Sequence, residues 1–221
     1  MAYFNLKYMK KVILIAFMSA MVLACNKNSS NNVSEDTNTT DSVQISTYEY
    51  QPDSTKLTWT AYKTTVKLPV NGTFKEIVVT PGKPSGTVKE LMNQLVFDIV
   101  SSSISSNNEE RDGKLVKTFF GSMTNSEKIS GKITSVNGTD TSGKARISIK
   151  MNDIEHEVDA EYAISGNILE VKTMLHLGDW KAEPSIKALN NVCHDLHKGE
   201  DGVSKLWPEI QVVISTELKN L

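Results

Sequence analysis

Three groups of residues in this sequence have side chains capable of chemistry. The run "CHDLH" places Cys193, His194 and His197 within five residues, and on a helix Cys193 and His197 share one face with His194 beside them. Thiolate and imidazole at that spacing can hold zinc or copper. A compact site needs a third or fourth ligand, however, and Asp195 points elsewhere on a helix, so the run reads as a solvated helix end beside "KGEDG". A Cys-His-Asp triad is weaker still, because such groups converge through the fold and rarely as sequence neighbours. Arg111 and Asp112 form the second group. An acid beside the base argues against a phosphate clamp and for a salt bridge or a helix start. The third group, His156 and His176, falls at the ends of expected strands, where lone histidines are usually surface residues. No phosphate loop, paired-cysteine metal motif or nucleophile elbow occurs in the sequence. The reading is therefore no enzyme, no cofactor and no metal, with a metal or haem site on Cys193, His194 and His197 as the lesser alternative.

The elements that must position these residues read as strands. In "KLTWTAYK", Leu57, Trp59 and Ala61 alternate with Thr58, Thr60 and Tyr62, the pattern of a half-buried antiparallel strand. Further strands are expected over 74–80, over "LVFDIVS" with Leu95, Phe97 and Ile99 aligned, and over 129–136. Three more follow, over 144–151, 156–165 and 168–176, the last two joined across Gly166 and Asn167 as a two-residue hairpin. The eighth, 210–218, is entered through Pro208. Eight short strands with one apolar face suggest an all-β sheet that closes on itself and so has no exposed edge. Three helical stretches interrupt them, at 87–93, 109–122 and 185–196. In the second, Asn108 can cap, Glu109 and Glu110 sit in the first turn, and Leu115, Phe119 and Met123 recur at four-residue spacing. A helix so short needs a surface to lie on, so it is expected as a lid or plug against the sheet.

At the N-terminus, Lys7, Lys10 and Lys11 precede the apolar run "VILIAFMSAMVLA", the layout of a secretory signal peptide and too short for a comfortable membrane span. It closes on "VLAC", which resembles a bacterial lipobox with Cys25 as the lipid-bearing residue. Removal of residues 1–24, with three lysines and no acid, leaves 21 basic against 26 acidic side chains and a formal charge of −5, which offers nothing to nucleic acid. Cys193 is the only other cysteine, so a lipidated Cys25 precludes an intramolecular disulfide. Residues 25–47 read as the lipidated cysteine and a flexible polar tether, and 48–221 as one domain. The expected location is the cell envelope, lipid-anchored, at the outer membrane. Oligomeric state is not legible.

The stretch "SSSISSNNEERDGKLVKTFF" resembles the YceI-like family. Ser103, Ile104, Asn107, Arg111, Asp112, Leu115, Phe119 and Phe120 stand where that family has a serine-isoleucine pair, an Asn, an Arg-Asp pair, a Leu and a Phe pair. Val70, Gly72 and Phe74 match its Val-x-Gly-x-Phe first hairpin, and "WPEIQVVISTEL" looks like the closing strand of lipoprotein members of Bacteroidetes type. The resemblance implies an eight-stranded antiparallel lipocalin-like β-barrel that binds a polyisoprenoid or similar amphiphilic lipid. On that reading Trp59, Phe74, Leu95, Phe97, Phe119, Phe120 and Tyr162 are the expected lining. A barrel filled by its own side chains and working as an interaction module is the alternative. Two departures stand out. "MNDIEHEV" replaces the family's glycine-rich middle hairpin, and a long connection from "DWKAEPSIKALNN" to "KLWPEI" precedes the last strand, where it can reshape a cavity mouth.

Overall fold

The computed structural model describes residues 46–221. The expected signal peptide, Cys25 and nearly all of the tether lie outside the described residues. Among the described residues twelve strands pair antiparallel in one sheet: β1 (Tyr48–Tyr50), β2 (Lys56–Lys63), β3 (Leu68–Phe74), β4 (Ile77–Thr80), β5 (Ser85–Gly86), β6 (Val96–Val100), β7 (Ile104–Ser105), β8 (Lys128–Gly138), β9 (Ser142–Met151), β10 (Ile154–Ser165), β11 (Ile168–His176) and β12 (Leu206–Asn220). Three α-helices are interspersed among the described residues, α1 (Val88–Met92), α2 (Glu109–Lys114) and α3 (Glu183–Val192).

The ladder runs β4-β6-β8-β9-β10-β11-β12-β2-β3-β7, with β1 bridging β12 and β5. Its end strands β4 and β7 do not pair with each other. The expected eight-stranded closed barrel is therefore corrected to a twelve-stranded half-barrel. The reason lies at two corners. The expected strand over 74–80 breaks at Lys75 and Glu76 into β3 and β4, and the serine run after Val100 coils into a 3-10 turn, Ser101–Ser103, that separates β6 from β7. Serine hydroxyls compete for backbone partners. Here the Ser103 hydroxyl donates to the Val100 carbonyl at 2.7 Å and accepts from the Glu76 N–H at 3.1 Å, which diverts both from a continuous ladder. The other additional strands, β1 and β5, have three and two residues, too few to show alternation.

Elsewhere the alternation holds. Ala145, Ile147, Ile149 and Met151 of β9 are all buried, as are Val158, Ala160 and Tyr162 of β10 and Leu57 and Trp59 of β2. The hairpin between β10 and β11 pairs Ser165 with Ile168 across two residues. The one between β9 and β10 turns on Asn152 and Asp153, both left-handed at φ 52° and 56°, the type I′ geometry that suits the twist of the strands. Helix α1 closes one end of the sheet. Thr87 and Glu90 cap it reciprocally, and Val88, Leu91 and Met92 are sealed beneath it, each contributing about 1.5–3 kcal/mol by leaving water. At the opposite end Trp180 is fully buried, its indole N–H donating to the Ile149 carbonyl at 3.0 Å.

The apolar cavity beneath the lid

Ala61 of β2 and Ile210, Val212 and Ile214 of β12 face inward, yet they are only half-buried. They border empty space, a cavity of about 170 Å³. Its wall is apolar almost throughout, from Trp59 and Phe74 on one side to Ile147 and Ile149 on the other. A second chamber of about 60 Å³ reaches on to Tyr50, Met92, Leu95 and Thr216. The two share Leu57, Phe97, Ile99, Ile147 and Ile214 in their walls, so they are neighbours in the sheet interior, with those side chains between them.

Two glycines shape the wall. A Cβ on Gly72 would fall 2.2 Å from the Trp59 ring, and one on Gly131 would fall 2.4 Å from Phe97. Each glycine lets an aromatic ring from its cross-strand partner reach close over the backbone. The Trp59 indole then donates to the Thr73 carbonyl at 3.3 Å, which fixes the ring at the cavity's edge.

The lid begins as expected. The Asn108 side chain accepts the Arg111 N–H at 2.8 Å, the N-cap that starts α2. Asp112 accepts from both the backbone N–H and the hydroxyl of Ser106. Arg111 is exposed and forms no ion pair with Asp112 among the described residues, so of the two expected roles the helix start is the one the structure shows. The single helix expected over 109–122 is, however, three. After α2 the chain widens to a π-helix over Leu115–Phe119 and tightens to a 3-10 turn over Phe120–Ser122. The π turn inserts a residue into the stripe, so Phe119 and Phe120 both face inward. Their centroids are 5.0 Å apart edge to face, and Phe120 meets Phe74 in the same way at 6.3 Å, the geometry the ring quadrupole favours. Helix α3 lies alongside, joined by a Ser122 to Ser185 hydroxyl bond of 2.8 Å.

Of the expected lining residues, Trp59, Phe74, Phe97, Phe119 and Phe120 meet in the larger chamber, and Leu95 with Phe97 borders the smaller. Tyr162 borders neither. It is buried near the turn between β8 and β9, its hydroxyl donates to the Thr139 carbonyl, and burial pushes its pKa up. Sequence reasoning missed Leu177, Ile186, Leu189, Leu206 and Trp207 of the wall. All five lie in the long connection or at its end. Ile186 and Leu189, one helical turn apart, were the available signal.

The "CHDLH" run does not gather into a metal site. Cys193 is buried and free, and His194 is exposed with its Nδ1 3.2 Å from Asp195. His197 is half-buried, its Nδ1 2.9 Å from the Asn190 Oδ1. Burial, aided by the positive charges of Lys63, Arg111 and Lys114, pushes the His197 pKa down to about 4, so the ring is neutral at pH 7. Among the described residues no group of three or more His, Cys, Asp or Glu side chains could hold a metal ion. His156 and His176 are exposed, His156 lying 3.5 Å from Asp179 and edge-on to Trp180.

Comparison with known proteins agrees with this architecture. The family profile described as YceI-like domain matches residues 48–218. Among solved structures, a polyisoprenoid binding domain from Saccharophagus degradans implicated in plant cell wall breakdown is similar, with a TM-score of 0.56 at 12% identity over 79% of this chain and 98% of that one. BcnA of Burkholderia cenocepacia gives a TM-score of 0.48 at 12% identity over 77% and 98% of the two chains. The YCEI protein of Campylobacter jejuni gives 0.47 at 13% identity over 69% and 85%. No curated protein matches the sequence. With its family profile spanning nearly all of the described domain, this chain belongs to the YceI-like family.

Proposed function

We propose that this chain is a lipid-anchored envelope protein that binds or carries a polyisoprenoid or a similar amphiphilic lipid in its apolar cavity, without catalysis. The observation that carries the reading is the pair of chambers beneath the lid, walled by aromatic and aliphatic side chains with almost no polar group in reach. A prenyl chain that leaves water for such a wall gains about 0.8 kcal/mol per methylene-sized group. The Saccharophagus relative, described as a polyisoprenoid binding domain, points the same way. In this proposal residues 1–24 are a signal peptide, Cys25 carries the lipid, residues 26–47 tether the domain, and the anchor holds it at the outer membrane.

A second reading has an observation in its favour. Chambers of about 170 and 60 Å³ are smaller than the roughly 300–1,000 Å³ of ordinary small-molecule sites, as a side-chain-filled interaction module would have. Native mass spectrometry with organic extraction, on chain beginning at Asn26 and purified without detergent, separates the two. A co-purifying polyprenyl species that disappears in Val212→Phe supports the carrier. A clean apo mass that gains nothing from added polyprenyl phosphates or quinones selects the filled module.

A further inference from the structure

The end of the cavity bordered by Leu206 and Trp207 is surrounded by two segments tied to each other. The turn between β2 and β3 presents Val66, and β3 opens with Leu68. They are 82% and 50% exposed. The segment between α3 and β12 presents Leu196 and Val203, 59% and 49% exposed. The Lys63 ammonium donates to the Leu196 carbonyl at 2.8 Å, Thr65 donates to Asp201 at 2.6 Å, the Thr64 N–H to the Lys205 carbonyl at 2.9 Å, and the Trp207 indole to the Thr64 carbonyl at 2.7 Å. Strand register agrees, since Lys63 pairs with both Leu206 and Leu68. Four exposed aliphatic side chains thus share one rim.

The same rim has the residues that suit a water–lipid boundary. Lys205 and Lys67 hold their ammonium nitrogens 3.4 and 4.2 Å from the Trp207 ring centroid, over its face, so one indole joins two charged groups to the apolar wall, and Trp beside Lys is a pairing that suits the boundary between apolar and wet zones. Its charges balance. Lys63, Lys67, Lys198 and Lys205 stand against Asp195, Glu200, Asp201 and Glu209, with Lys198 paired to Asp195 and Lys67 to Glu209. No strong field opposes or requires a charged surface.

We propose that this rim docks onto the surface of a phospholipid bilayer, its aliphatic tips inserted among the head groups, so that lipid passes between bilayer and cavity without crossing water. The proposal rests on the reading of the cavity as a lipid site. The occupant follows from the chain itself. A cargo insoluble in water resides in a membrane, and residues 26–47, 22 in number, span at most about 75 Å when extended, so a domain anchored through Cys25 never leaves the bilayer's neighbourhood. The balanced charge makes docking insensitive to anionic lipid.

The test uses the full chain as processed in a bacterial envelope, reconstituted into phosphatidylcholine vesicles. An environment-sensitive fluorophore is attached at Val203→Cys on the rim or at Ile168→Cys, an exposed site at the far end of the sheet. Buried Cys193 remains unlabelled. Docking places the rim label in lipid, blue-shifted and quenched by brominated acyl chains, and leaves the Ile168 label in water. In parallel, the double variant Val66→Asp with Val203→Asp takes up a fluorescent polyprenol from vesicles roughly tenfold more slowly, as expected for two lost apolar anchors, and fills at the wild-type rate from detergent solution. A rim label in water, or uptake from vesicles unchanged in the variant, overturns the docking. Wild-type protein that fills from neither source overturns the lipid-site reading instead, while the label still decides docking.

Discussion

Ala61→Leu discriminates best between an open cavity and a filled core. Ala61 is half-buried in β2, pairs with Ile210 of β12 and Val70 of β3, and borders the larger chamber. Leucine adds three carbons that would project into the void. At about 0.8 kcal/mol per carbon their burial is worth about 2.4 kcal/mol, and the lost rotamer freedom of leucine costs about 0.5–1 kcal/mol. The net gain of about 1.5 kcal/mol raises the melting temperature of a domain this size by roughly 3–6 °C. The assay is thermal unfolding of delipidated protein by circular dichroism, followed by titration with a polyprenyl phosphate. The expected result is a more stable protein that binds lipid more weakly, because stabiliser and ligand compete for the same space. A melting temperature lowered by several degrees would refute the reasoning, since overpacking a filled core costs about 1–3 kcal/mol. Wild-type affinity in a stabilised variant would refute the assignment of the ligand to this chamber.

Three further outcomes follow from the geometry. Gly72→Ala forces a Cβ to within 2.2 Å of the Trp59 ring, so it should destabilise by about 1–3 kcal/mol and shift the Trp59 contribution to fluorescence; an unchanged urea midpoint counts against the close approach. Asp112→Ala leaves the buried Ser106 without its acceptor and should cost about 1–3 kcal/mol, most of it recovered in Asp112→Asn, which keeps an accepting oxygen. His197 titrates near 4 folded against 6.5 unfolded, so the unfolded chain binds more protons between those values. Its stabilising effect is complete above pH 6.5 and is lost as pH falls towards 4. Partial exposure and screening reduce it to about 1–2 kcal/mol. Urea unfolding across that window should slope upward with pH, and His197→Gln should flatten the slope.

Strand faces were legible wherever a strand was long enough to alternate, as in β9, where Ala145, Ile147, Ile149 and Met151 are all buried. The closed eight-stranded barrel was not, because its failure depends on Ser103 taking backbone partners at a corner, a tertiary event that period-two patterning does not encode. The aromatic part of the cavity could be read because Trp59, Phe97, Phe119 and Phe120 sit on apolar faces of recognisable elements. Tyr162 has the same alternation and lies elsewhere, since facing inward does not specify which level of the sheet interior a side chain reaches. Leu206 and Trp207 were missed for a related reason. They belong to β12 in the structure, but the register shift between Leu206 and Ile210, across Pro208, interrupts the alternation that would have extended the strand.

Chambers of about 170 and 60 Å³ are too small for a long prenyl chain, so a wall must yield for one to enter. The sheet wall resists opening, because β9 and β10 are paired over ten consecutive residue pairs, and opening such a ladder strands buried backbone groups. The lid differs. It is held at its ends, by the Asn108 cap and Asp112 within α2 on one side and by Ser122 and Ser126 beyond the π-helix on the other, while between those points Leu115, Val116 and Phe119 are only partly buried. The winding between the ties is a π-helix, which is rare, occurs mostly as a single-turn bulge in an α-helix and recurs at functional sites. Reverting it to α-helical winding would rotate the residues that follow it relative to α2 by about one residue's step, about 100°, and turn the Phe119 and Phe120 rings relative to the chamber. Amide exchange at residues 115–120 should therefore be faster than in β9 in the apo protein and should slow when lipid fills the chambers. Exchange as slow as that of β9 without lipid would mean that this lid does not open.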